Sequence, residues 1–169
     1  MLTYRNSAAF GVALIFVSIS AVAETQLPPV GLAVSETAQV NVVNTALPPA
    51  SGGAAPNCNG TIAFYGGSGG GVVLQVAAFQ VQSGQIFSAA LPYASTGATG
   101  GRTVIRIAIT LTPFMIPTTI GPVVAPCTLA SSFETFDSTS GVTHGVVSSA
   151  MTLSDTGDVQ QEKSAVPRR

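Results

Sequence analysis

Apolar residues recur at every second position along much of this chain, which predicts strands rather than helices. The pattern is strongest over residues 102–112. There Ile105, Ile107, Ile109 and Leu111 share one face, while Arg102, Val104, Arg106, Ala108 and Thr110 share the other. Such alternation belongs to an antiparallel strand with one buried side. Residues 58–65 repeat it: Cys58, Gly60, Ile62 and Phe64 alternate with Asn59, Thr61, Ala63 and Tyr65. In residues 127–136, Cys127, Leu129, Ser131 and Phe133 are in phase. Residues 30–43 alternate with an interruption at Ser35-Glu36-Thr37, which predicts one or two short strands. Stretches 72–82, 85–91 and 142–148 predict three more.

Turn formers separate these runs. Residues 44–57 hold Pro48-Pro49, Gly52-Gly53 and Pro56; a glycine-rich run fills 66–71; Ser83-Gly84 marks a tight turn. Residues 93–101 form a small-residue loop, and Asp137-Ser138-Thr139-Ser140-Gly141 reads as a hairpin turn. Pro113, Pro117, Pro122 and Pro126 exclude both a helix and a central strand from 113–126. An extended apolar loop is expected there, with Phe114, Met115, Ile116 and Ile120 as candidate interaction residues. About seven short strands with Gly/Pro-rich turns and no helical period predict an all-β, two-sheet antiparallel sandwich.

The first residues follow a different pattern. Arg5 precedes an apolar run over 8–19, and Ala21-Val22-Ala23 forms an A-x-A box before Glu24. This is the layout of a secretory signal peptide, and the run is too short for a membrane span of roughly 20 residues. The expected organisation is a signal peptide at 1–23, a short polar, proline-ended lead at 24–29, the sandwich at 30–150 and a disordered charged tail at 151–169. Export to the periplasm or the extracellular space, with no membrane anchor after cleavage, follows from that layout.

Export gives the two cysteines their meaning. In an oxidising compartment Cys58 and Cys127 are expected to form one disulfide. The phase of Cys58 with Ile62 and Phe64, and of Cys127 with Leu129 and Phe133, places it in the core. Their spacing resembles that of the paired cysteines bridging the sheets of an immunoglobulin-like domain. The chain has no tryptophan, and Ala125 stands where a tyrosine corner would fall, so the likeness is to a generic immunoglobulin-like β-sandwich. The overall pattern is also similar to that of small secreted bacterial proteins.

Charge narrows the partners. Asp, Glu, Lys and Arg make up only 8% of the chain, against a typical value of about 25%. Such a surface offers no electrostatic case for nucleic acid or anionic lipid.

Candidate chemistry is sparse. Gly66-Gly67-Ser68-Gly69-Gly70 matches a hydrolase nucleophile elbow only by composition, because no helix follows it. His144 is the single histidine, with Asp137 and Glu134 near it in sequence. Pairing across a hairpin would make Glu134 and His144 a cross-strand polar pair. The 137–141 turn lacks the further carboxylates that calcium needs, and two cysteines with one histidine do not make a metal site. Asn59-Gly60-Thr61 is formally a glycosylation sequon, but it lies inside a strand. No cofactor, metal or catalytic set is expected. The reading is a secreted, non-enzymatic sandwich with a structural, adhesive or protein-binding role, its partner being protein, either self or another extracellular protein. The alternative is a small-ligand or glycan-binding module using Tyr65, Tyr93 and the Gly-rich loops. A hydrolase built on His144 ranks third.

Overall fold

A computed structural model describes residues 23–48, 56–67, 71–117, 123–125, 127–153 and 159–162. The strands in chain order are β1 (Ala23–Ala33), β2 (Glu36–Asn44), β3 (Cys58–Gly66), β4 (Val72–Val81), β5 (Ile86–Pro92) and β6 (Arg102–Thr112). They are followed by β7 (Met115–Ile116), β8 (Val123–Val124), β9 (Cys127–Asp137), β10 (Thr143–Leu153) and β11 (Val159–Glu162). Two antiparallel sheets pack face to face. The first has the order β1-β6-β3-β4, the second β11-β10-β9-β2-β5, and β7 and β8 form a separate two-stranded ribbon.

The alternation read from the sequence sets the core. Ile105, Ile107, Ile109 and Leu111 of β6 are almost wholly buried between the sheets, with Ile62 and Phe64 of β3. Leu129 and Phe133 of β9 and Val40 and Val42 of β2 meet them from the second sheet. Cys58 of β3 and Cys127 of β9 are joined, with Cα atoms 5.5 Å apart. The bridge therefore ties an inner strand of one sheet to an inner strand of the other.

Three segments differ from the sequence reading. Residues 24–29 are not a lead; they form the first half of β1, and Glu24, Thr25, Gln26 and Leu27 pair with β6. The strand tolerates Pro28-Pro29 because it lies at the sheet edge, and its register shifts between Leu27 and Val30. The stretch 113–126, expected as an extended apolar loop, contains two short strands, Met115–Ile116 and Val123–Val124. The ribbon β7–β8 closes there, with the Ala125 amide donating to the Phe114 carbonyl at 2.7 Å. At the other end, β10 runs on to Leu153 and β11 pairs with it, inside the stretch expected to be a disordered tail. The signal-peptide assignment falls on residues 1–22, outside the described residues, apart from Ala23, where β1 begins.

β4 and β5 occupy the same flank, as edge strands of opposite sheets joined by the corner 82–85. There Gln85 N–H donates to Gln82 O at 2.9 Å, and Gly84 takes a φ of 76°, which favours glycine. Asn44 fixes this corner from inside. Its side-chain amide donates to Pro56 O at 2.9 Å and Val81 O at 3.2 Å, and its Oδ1 accepts from Ala46 N–H. Its backbone carbonyl accepts from Gly84 N–H. Phe79 and Phe87 close the core beneath the flank, with ring centroids 6.0 Å apart.

Candidate functional site

The tyrosines do not form a platform. Tyr65 lies on the outer face of the first sheet, with the Arg106 guanidinium 5.7 Å from its ring centroid. The pair borders a shallow depression of about 190 Å³ shared with Glu24, Gln26 and Ala108. Tyr93 is buried instead, a correction to its reading as a loop residue open to a ligand. Pro92 and the short helical turn Tyr93–Thr96 direct its ring into the core, and its hydroxyl donates to Gly100 O. Phe114 is 54% exposed at the base of the β7–β8 ribbon. The backbones of Met115 and Ile116 form β7, whereas Ile120 and Ser68 lie outside the described residues.

His144 pairs with neither Glu134 nor Asp137. Its Nδ1 lies 2.6 Å from Glu36 Oε1, at the opening of β2. The other oxygen of Glu36 accepts the Ala33 amide at 2.7 Å. That amide, followed by the His144 hydrogen bond, holds the Glu36 carboxyl below its ordinary range. One carboxylate thus clasps the β1–β2 turn to the start of β10. Asp137 serves its own turn: its Oδ1 accepts from Ser140 N–H at 2.7 Å and Thr139 N–H at 2.9 Å. These bonds, that of Ser140 foremost, with the Ser35 and Ser140 hydroxyls, lower its pKa to about 2. Among the described residues no three of His, Cys, Asp and Glu cluster in a way that could hold a metal.

Glu134 belongs to a polar ladder on the outer face of the second sheet. Its Oε1 accepts from Gln39 at 3.2 Å and Asn41 at 3.3 Å. Asn41 also accepts from the Ser88 hydroxyl at 2.6 Å. Strand pairing explains the ladder, because Ser88, Asn41, Ser132 and Ser148 stand opposite one another across β5, β2, β9 and β10. Small residues at these places leave a trough of about 590 Å³, lined also by Ile86 and Ala130. Sequence reasoning missed it, since each strand contributes only one or two ordinary polar residues.

The most distinctive surface is the flank made by β4 and β5. Between Glu36 and Arg102 the chain carries no Asp, Glu, Lys or Arg, and both edge strands come from that interval. β4 exposes Val72 (72%), Val73 and Val76 (56%), and Ile86 of β5 is 69% exposed. Edge strands present unpaired N–H and C=O groups, which proteins usually blunt with charge, proline or bulges. The β1 edge has Pro28, Pro29, a register shift and Glu24. β5 is 7 residues long and ends in Pro92. β4 runs for 10 residues with neither proline nor charge. Its one irregularity is a register shift opposite Phe64/Tyr65, which leaves Leu74 unpaired and the stretch 75–81 regular.

No protein-family model matches this sequence, and neither a curated protein nor a solved structure is significantly similar to it. The disulfide is compatible with an oxidising compartment. No helix among the described residues is long and apolar enough to cross a membrane.

Proposed function

We propose that this chain is an exported, non-enzymatic β-sandwich with a structural or adhesive role, acting through contact with protein. The carrying observation is the uncharged β4 edge with its exposed valines, since such an edge lends itself to strand addition. Export is supported by the signal-like pattern of residues 1–23 and by the inter-sheet disulfide. The immunoglobulin-like character rests on that same bridge. The strand order is the chain's own, because β1 and β2 lie in opposite sheets, whereas the first two strands of an immunoglobulin constant domain are neighbours.

A photo-crosslinking residue at position 76, in the exported protein of the producing cell, tests the role. Light-dependent protein adducts are expected from position 76 and not from position 110, on the outer face of the inner strand β6. Absence of adducts from position 76 overturns the reading.

The trough on the second sheet favours a second reading, a site for a small neutral polyhydroxylated ligand. The Asn41 amide and the hydroxyls of Ser88, Ser132 and Ser148 there offer donors and acceptors without an aromatic platform. A panel of neutral oligosaccharides tests it by calorimetry. Binding that is lost in Asn41→Ala is the expected result, and heats no greater than dilution exclude it.

A further inference from the structure

We propose that β4 pairs antiparallel with β4 of a second copy of this chain, about a two-fold axis at Ala78. The inference rests on the protein-contact reading above and names the partner. Pairing two first sheets edge to edge turns each four-stranded sheet into half of one continuous sheet, and a two-fold contact closes without forming a filament.

Three observations select this partner and this register. First, self-pairing places every β4 residue opposite another β4 residue, so a charged strand would repel itself; VVLQVAAFQV carries no charge. Second, the other edges make poor complements. β1 interrupts its own register at Pro28-Pro29, and β5 ends in Pro92, which has no N–H to donate. β11, Val159–Glu162, pairs over only four residues of β10 and carries Glu162. An antiparallel β4–β4 contact therefore offers a regular ladder free of both proline and charge.

Third, the irregularity at Leu74 limits the usable stretch to 75–81, whose midpoint is Ala78. Antiparallel partners must share a face, and a centre at Ala78 satisfies that condition along the whole stretch. Gln75 then stands opposite Val81, Val76 opposite Gln80, Ala77 opposite Phe79, and Ala78 opposite its own copy. The methyl side chains of Ala77 and Ala78 at the centre permit close approach of the two backbones. Val76, exposed in a single copy, comes to lie within the new ladder, where its apolar surface leaves water.

The test uses the mature exported chain in sedimentation equilibrium. Wild type is expected at twice the monomer mass, with dissociation on dilution. Val76→Lys/Gln80→Lys places like charges opposite each other on both sides of the axis and is expected at monomer mass. Val76→Glu/Gln80→Glu should also be monomeric, and mixing the two variants should restore the doubled mass. Circular dichroism confirms that each variant is folded. Ala78→Cys, treated with a mild oxidant, should give a covalent dimer, and Val73→Cys should not. A monomer at every attainable concentration overturns the proposal, as does a dimer that survives the lysine substitutions. Position-76 adducts made only with a different protein overturn self-pairing while leaving the protein-contact role intact.

Discussion

Removing the bridge between Cys58 and Cys127 should cost this protein much of its stability. The cysteines are 69 positions apart, and closing a loop of that length restricts the unfolded chain by about 4 kcal/mol at 25 °C. Cys58 is fully buried and Cys127 nearly so. Replacing both with alanine also leaves a small void, worth about 1 kcal/mol more. The Cys58→Ala/Cys127→Ala chain should therefore unfold with about 4–5 kcal/mol less free energy, out of the roughly 5–15 kcal/mol usual for a domain. Its thermal midpoint should fall by about 10–20 °C. Urea denaturation followed by far-UV circular dichroism is the assay, since the chain has no tryptophan to report by fluorescence. A second signature separates an unfolded-state effect from a folding defect: the unbridged chain exposes more surface on unfolding, so its urea dependence should steepen. A loss below about 1 kcal/mol with an unchanged slope would refute the reasoning, because the loop would then not constrain the unfolded chain.

Further outcomes follow from single side chains. Asn44→Ala should destabilise by about 2–4 kcal/mol in chemical denaturation, because it strands the buried Val81 carbonyl and the part-buried Pro56 carbonyl and Ala46 amide. Gly60→Ala should cost about 2 kcal/mol by the same measurement, since its Cβ would fall 2.2 Å from Thr110 O and 2.6 Å from Phe79 Cζ. Glu36→Gln should lose about 1 kcal/mol at neutral pH, its carboxylate being only 12% exposed within the His144–Ala33 clasp. The Glu36 pKa is lowered on folding, so its stabilisation is present above its ordinary value of 4.5 and fades as pH falls through the lower folded value. The gap between wild type and Glu36→Gln should accordingly shrink below pH 4.5, and a gap that widens there would contradict the clasp.

Much of the fold was legible because burial imposes a period of two. The inner faces of β3, β6 and β9 follow Cys58, Ile107 and Phe133 in phase, and the disulfide follows from the same phase. Features that depend on strand order were not legible. Glu36 and His144 are 108 positions apart, and only sheet assembly brings them together. β1 was obscured by Pro28-Pro29, which are permitted because β1 turned out to be an edge. Tyr93 looked like a loop residue, yet the helical turn that follows Pro92 buries its ring. The lack of charge between Glu36 and Arg102 was visible from the start. Its consequence emerged only when β4 and β5, both drawn from that interval, proved to be edges on one flank.

Hydrogen exchange along β4 tests the central claim most directly. Amides of an unpaired edge exchange through local openings of low free energy, and a new ladder protects them. Exchange of the 72–81 segment should slow as protein concentration rises, with β1 and β5 unaffected, and should return to the fast rate in Val76→Lys/Gln80→Lys. Exchange of 72–81 that is independent of concentration, or protection that grows instead on the Phe114-bearing ribbon, would contradict it.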